Sequence, residues 1–215
     1  MFDTSWILQK LYYLPGIFIA ISFHEFSHAL AAYYMGDNTA KNMGRLTLDP
    51  RAHIDIVGFL ALLIAGFGWA KPVPINPLNF KNRRLGTILV SLAGPIMNLL
   101  LAFITLTVMF FVFEIFHYTS ETAYNILFAT FIVNVILCVF NLIPIPPLDG
   151  SKILASILPA QIENKMYELE RYSHIILIIL IFSNVLDKIL TPMVTFLATT
   201  IQTVVIFFLS ILGLI

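Results

Sequence analysis

Ile21-Ser22-Phe23-His24-Glu25-Phe26-Ser27-His28-Ala29-Leu30 sets an H-E-x-x-H motif inside a run of apolar residues. In a helix, positions i and i+4 share a face, so the imidazoles of His24 and His28 can grip one Zn²⁺ at about 2.0–2.1 Å from each nitrogen. Glu25 then lies beside the metal without ligating it. Its carboxylate can take a proton from a water whose pKa zinc lowers to roughly 7, which is the chemistry of metal-assisted peptide hydrolysis. Leu11 to Ile21 leads straight into the motif. Each ionisable group inside a membrane span costs about 2.5 kcal/mol or more to insert, so three in five positions point to function rather than accident.

Composition agrees with a membrane setting. Of 215 residues, 59% are hydrophobic and 11% charged, against about 45–50% and 25% in soluble domains. Lys plus Arg equals Asp plus Glu at 12 each, so no net charge suggests nucleic acid and the information lies in where charges fall. Cys138 is the only cysteine; it forms no internal disulfide and reads as a small buried apolar residue. Met1 to Lys10 has no basic n-region or small-residue cleavage site, so no signal peptide is read there.

Working outward, Leu11 to Tyr34 is long enough to cross a core of about 30 Å. Thr39 to Asp55 is polar, and Arg45-Leu46-Thr47-Leu48-Asp49 alternates like a short strand before Pro50. Ile54 to Ala70 is apolar with three glycines. If it crossed, Lys71, Lys81, Arg83 and Arg84 would lie opposite Lys41, Arg45 and Arg51, against the positive-inside tendency, so a re-entrant or interfacial segment is expected. Lys71-Pro72-Val73-Pro74-Ile75-Asn76-Pro77 must be extended or turned. Leu85 to Phe113 is a second span carrying Gly94-Pro95-Ile96-Met97-Asn98, where Gly-Pro can kink the helix and the Asn98 amide must meet another helix or a water-filled site. The acidic loop Glu114 to Glu121 lies outside, and Ala123 to Leu142 crosses back.

That span delivers Asn141-Leu142-Ile143-Pro144-Ile145-Pro146-Pro147-Leu148-Asp149-Gly150. The prolines end the helix and stiffen the chain, and Gly150 lets it turn. Asp149 alone would read as the cap of the helix from Ser151 onward. With the earlier motif it becomes the third ligand, since two histidines, one carboxylate and a water complete a catalytic zinc site; Asp49 and Asp55 stand next in line. Lys152 to Tyr172 is a polar surface connector with a short amphipathic helix. Ser173 to Leu190 and Pro192 to Ile215 are two further apolar segments, broken at Thr191-Pro192. The predicted fold is all-α and polytopic: five spans, a re-entrant piece, a short membrane-associated β-hairpin, N-terminus outside and C-terminus inside. It forms one domain, with a core over residues 11–158 and two additional helices within 173–215. His53, near Asp55, could line the site but reads first as a surface residue; His117 and His174 lie at span edges.

With His24-Glu25-x-x-His28, Gly94-Pro95-x-x-Asn98 and Asn141-x-x-Pro144-x-Pro146-x-Leu148-Asp149-Gly150 in this order, the chain resembles the site-2 protease family of intramembrane zinc metallopeptidases. The resemblance covers most of residues 11–158. It implies cleavage of transmembrane substrates, with His24, His28 and Asp149 as zinc ligands, Glu25 as catalytic base and Asn98 near the substrate or oxyanion. It also implies a membrane-associated hairpin, which suits Thr39 to Pro77. Family members often add an N-terminal span, a PDZ insert or a CBS domain; this sequence reads as a minimal catalytic core.

The expected partners are a transmembrane protein or peptide and the lipid bilayer, with no nucleic acid and with homo-oligomerisation left open. The expected location is the cell membrane, active site toward the cytoplasm. A rival function is a metal or proton transporter using the same buried polar residues. Glu25 separates the two, because a carrier needs it as a ligand or not at all, whereas a hydrolase needs it as a base. A catalytically dead relative is disfavoured because no motif residue is missing.

Overall fold

In hydrocarbon every backbone N–H and C=O must be paired within its own segment, so long apolar runs resolve into helices. The computed structural model describes residues 4–66, 68–173, 175, 176, 179, 183 and 185–214. Helix α1, Thr4–Met35, carries the metal motif in its second half and starts earlier than the apolar run suggests. α5, Arg83–Met109, runs unbroken through Pro95 and continues as a π-helical segment, Phe110–Ile115. α6 is Glu121–Asn141. Asn82 and Ser120 cap the last two by accepting from Leu85 N–H and Ala123 N–H, the usual way of satisfying orphan donors at a helix start. α1, α5 and α6 pack against one another and form the core of the molecule. Gly16 permits a close crossing of α1 and α6, since a Cβ there would lie 2.7 Å from Thr130 Cα.

The bundle places small and polar residues inside and large apolar ones outside. Gly86, Ser91, Gly94, Asn98 and Ala102 of α5 are buried, whereas Leu85, Leu89, Ile96, Leu100, Ile104 and Val108 on the other face are exposed. That distribution suits lipid, where helix packing is driven by close backbone approach and hydrogen bonds. Three described helices are long and apolar enough to cross a membrane: Arg83–Ile115, Glu121–Asn141 and Leu186–Ile211. α1 is as long, but the polar motif residues dilute its apolar character.

Several expectations are corrected here. Among the described residues there is no β-sheet: the predicted hairpin is replaced by one-turn helices α2, Thr39–Asn42, and α3, Pro50–His53, joined by irregular chain. Alternation over Arg45–Asp49 has no partner strand. Instead Arg45 turns inward to donate to the Lys71 carbonyl at 2.7 Å, and Asp49 caps α3 by accepting from Arg51 N–H. The expected break at Thr191-Pro192 is also absent, because a single helix runs through it over Val185–Ile211 (α9 below). The predicted span Ser173–Leu190 falls largely outside the described residues, as does His174. Five spans are thus not seen; three apolar spans and α1 are. His53 is fully buried rather than on the surface, with Nε2–H donating to the Thr47 carbonyl at 2.8 Å.

The segment after α3 folds back so that its two ends meet. α4, Ile56–Ala65, is ten residues, or about 15 Å, half of what a crossing needs. Its flanks meet in an antiparallel bridge between Ile54 and Ala70, and Lys71 N–H donates to the His53 carbonyl at 2.9 Å. A segment whose two ends touch has not crossed. Gly58 and Gly68 allow the close return: a Cβ on Gly58 would lie 2.2 Å from the Trp69 carbonyl oxygen. α7, Asp149–Ile157, and α8, Ala160–Glu170, follow the proline-rich loop. α9 packs on α5 and α6 around Ala102, Phe131, Val135 and Val205.

Asp37 fixes the proline-rich arm, residues 71–77, to the end of α1. Its carboxylate accepts from Thr39 N–H (3.0 Å), Thr39 Oγ1 (2.5 Å), Asn76 N–H (2.7 Å) and Asn79 Nδ2 (2.7 Å). Burial pushes its pKa up, but the hydrogen bonds from Thr39, Asn76 and Asn79 outweigh burial and leave it below the ordinary aspartate value. A group whose pKa is lower folded than unfolded stabilises above the unfolded pKa and loses that contribution as pH falls through the folded one, so this clamp is at full strength at neutral pH. Asp37→Ala should lower stability by about 2–3 kcal/mol, since buried donors left unpaired cost about 1–3 kcal/mol. Thermal unfolding in detergent and faster tryptic cleavage at Lys81 measure it.

Candidate metal centre and active site

α1 presents Ala20, His24 and His28 along one face at intervals of four, and α5 answers with Val90, Gly94 and Asn98 at the same interval. The two stripes interlock. His28 Nδ1 lies 2.7 Å from the Val90 carbonyl oxygen and His24 Nδ1 lies 2.6 Å from Asn98 Oδ1. A carbonyl can only accept, and Asn98 Nδ2 is already donating to the Ala20 carbonyl and to Asn134 Oδ1 at 3.1 and 3.0 Å. Both imidazoles therefore carry their proton on Nδ1. This leaves both Nε2 atoms as lone pairs, the arrangement that outer hydrogen bonds impose on metal-binding histidines.

Gly94 is what allows the rings to lie there. A Cβ on it would stand 2.5 Å from His24 Cε1 and 2.5 Å from His28 Nε2, so the imidazoles rest on bare α5 backbone. Pro95 cannot donate to the Ser91 carbonyl, which removes one rung of the helix at this turn.

Asp149 completes the group. Gly150 folds the proline-rich loop back on itself, since a Cβ there would lie 2.3 Å from the Leu142 carbonyl oxygen. The N-cap of α7 is Leu148 and not Asp149, whose carboxylate is thereby free to turn inward. Its Oδ2 is 3.1 Å from His28 Nε2 and 3.3 Å from His24 Nε2, and the two Nε2 atoms are 2.9 Å apart. Lys152 Nζ sits 3.8 Å from the other oxygen.

Three lone-pair acceptors with no proton among them, all buried, are mutually repulsive unless a cation lies between them. Their triangle also has the right size, because ligands about 2.0–2.1 Å from a tetrahedral zinc stand about 3.3 Å apart. Among the described residues this is the only group of three or more His, Cys, Asp or Glu able to hold a metal ion. The other acids considered as ligands are occupied elsewhere: Asp49 pairs with Arg51 and Asp55 caps α4 through Gly58 N–H.

Glu25 does not join the triangle. Its Oε2 accepts from Val73 N–H at 2.8 Å, and it lines, with His24, His28 and Asp149, a partly open cavity of about 420 Å³ whose wall also includes Pro72, Val73 and Ile75 of the arm. Asn98 is not on the cavity wall. It is fully buried behind His24, hydrogen-bonded to that ring and away from the cavity lining.

A Bacillus subtilis (strain 168) protein named "Putative zinc metalloprotease YwhC" is 40% identical over 190 residues, covering 85% of this chain and 85% of that protein. The chain belongs to peptidase family M50. The model of Peptidase family M50 matches residues 112–186, a stretch that includes Asp149. "Putative zinc metalloprotease Rip2" of Mycobacterium tuberculosis (strain ATCC 25618 / H37Rv) is 31% identical over 180 residues, covering 81% of this chain and 68% of that protein. No solved structure matches the chain. Family M50 membership and the apolar helices make it an integral membrane protein of the site-2 protease type.

Within this M50 chain, sequence reasoning alone did not single out Val90, Val73 or Asn134. Val90 and Val73 act through backbone groups, which no residue identity announces. Asn134 had a signal, an uncharged amide in an otherwise apolar span. Gly94 was visible as part of Gly-Pro, where it suggested a kink and not a seat for two rings. Gly94→Ala should cut metal content of the purified protein to near zero while the bundle stays folded, as measured by elemental analysis beside circular dichroism. Full metal occupancy in this variant would show that the rings do not need the bare backbone.

Proposed function

We propose that this protein is a zinc endopeptidase that hydrolyses peptide bonds within transmembrane segments of other proteins, near the cytoplasmic face. The observation that carries the reading is the convergence of His24, His28 and Asp149 on one point of a membrane-helix bundle, with Glu25 beside it on the wall of a partly open cavity. His24 Nε2, His28 Nε2 and Asp149 Oδ2 would hold the ion. When bound, zinc supplies a Lewis acid that lowers the pKa of water and polarises a carbonyl oxygen.

The chain's own groups do the rest. Val73 N–H fixes one oxygen of Glu25, leaving the other to take a proton from water and return it to the leaving amine. Val90 and Asn98 keep both histidines in the tautomer that binds metal. The transporter reading finds no support in Glu25, which stays outside the ligand triangle.

Depth follows from helix geometry and charge. His28 lies 7 residues and His24 11 residues before Met35 at the end of α1, or about 10–16 Å. That end adjoins Lys41, Lys71, Lys81, Arg83 and Arg84, the residues that the positive-inside tendency assigns to the cytoplasm. Arg83 also pairs with Glu163 of α8 at 3.3 Å, which draws the polar connector to the same end.

Glu25→Gln should retain metal and lose cleavage, because Gln can still accept from Val73 N–H but cannot take a proton. Asp149→Ala should lose the metal itself. Both are read by metal analysis and by mass mapping of products from membrane-spanning segments, with and without chelator; near-parent cleavage by Glu25→Gln would sink the mechanism. Cuts should cluster in the cytoplasmic half of substrate spans, and helix-breaking Gly, Pro or Asn near the scissile bond should speed them, since a helix hides its carbonyls in its own hydrogen bonds. Cuts in the outer half, or indifference to helix breakers, would overturn depth or unwinding respectively.

A further inference from the structure

Asn134 is fully buried in the middle of α6, an apolar helix, and touches no ligand atom. A buried amide costs stability unless its hydrogen bonds are all made. Here they are made in one direction only. Asn134 Nδ2 donates to the Thr130 carbonyl at 2.9 Å, which fixes that amide so that Oδ1 points away from Thr130. Oδ1 accepts from Asn98 Nδ2 at 3.0 Å. Asn98 Oδ1 is thereby the atom that faces His24 Nδ1.

We infer that Asn134 is a positioning residue for the metal: through Asn98 it holds His24 in the Nδ1–H tautomer, so that Nε2 is free to ligate. The inference rests on the metal reading of the site. An Asn98 amide turned the other way would offer NH₂ to Nδ1, force the imidazole proton onto Nε2, and remove a ligand. Two acceptors forbid that turn, the Ala20 carbonyl and Asn134 Oδ1. Ala20's carbonyl also serves the α1 hydrogen-bond ladder, so Asn134 is the partner dedicated to Asn98. The polarity set by one backbone carbonyl of α6 is passed through side chains of α6 and α5 to a ligand on α1.

Asn134→Leu and Asn134→Asp test it in the full-length detergent-solubilised protein. Leucine keeps the shape and removes the acceptor. A buried, protonated aspartic acid keeps the polarity, its carbonyl accepting from Asn98 and its hydroxyl donating to Thr130. Zinc affinity is measured by competition with a chromophoric chelator, ligand geometry by the visible spectrum of the cobalt-loaded protein, and folding by thermal unfolding of the metal-free form. Asn134→Leu should bind zinc about 10–100-fold more weakly, as loss of an outer hydrogen-bond partner typically does, with an altered cobalt spectrum, in a metal-free form that still folds but unfolds at a lower temperature because one Asn98 N–H is left unpaired. Asn134→Asp should bind like the parent. Parent affinity in the Leu variant, or an Asp variant as weak as Leu, overturns this assignment alone. A parent that takes up no zinc overturns the metal reading and this assignment together.

Discussion

Everything in this molecule answers one repulsion. Two imidazole nitrogens and a carboxylate oxygen meet within 2.9–3.3 Å of one another in a buried space, and without a cation each desolvates the others' lone pairs for no return. To keep them there as acceptors, the protein must park both histidine protons on the far side of the rings. Val90 and Asn98 do so, one with a backbone carbonyl and one with an amide oxygen. Gly94, between them, gives the rings room.

The part of this arrangement that is local in sequence was legible. His24 and His28 share a helix face by spacing alone, and Asp149-Gly150 after three prolines announces a carboxylate delivered by a stiff turn. Charge placement around Ile54–Ala70 anticipated a segment that returns, which the Ile54–Ala70 bridge supports. What was not legible depends on partners distant in sequence. Alternation over Arg45–Asp49 reads as a strand only if another strand lies beside it, and Arg45 is instead drawn to the Lys71 carbonyl. His53 looked like a surface residue because its neighbours are polar, yet it is buried where the two ends of the Ile54–Ala70 segment meet. Pro192 looked like a break, but it removes a single hydrogen bond, to the Lys188 carbonyl, and the helix Val185–Ile211 runs through it as α5 runs through Pro95.

The arm over the cavity shows the same economy of donors. Pro72 and Pro74 have no N–H, so within Pro72-Val73-Pro74 the Val73 amide is the single backbone donor, and it goes to Glu25. A chain so depleted of donors cannot pair as a regular strand here. It stays in place because Asp37 grips Asn76 and Asn79 on one side of Val73 and His53 grips Lys71 on the other. Orientation of Glu25 is thus set by a backbone group anchored at both flanks, and a backbone group cannot change rotamer.

Register between helices is the harder problem in lipid, because hydrocarbon favours no apolar face over another and the hydrophobic effect cannot rotate a helix into place. Hydrogen bonds and close contacts must do it. If α5 were turned by one residue, Ser91, Pro95 and Leu99 would face the imidazoles in place of Val90, Gly94 and Asn98. The proline ring would occupy the space the rings need, and Leu99 would offer no acceptor to His24. The Asn98–Asn134 bond adds the same constraint between α5 and α6, and the Gly16–Thr130 crossing adds it between α1 and α6. Two of the three pairs of core helices, α1 with α5 and α5 with α6, are thus locked by hydrogen bonds that converge on the His24 ring, so the forces that fix the register there are those that orient His24 and His28.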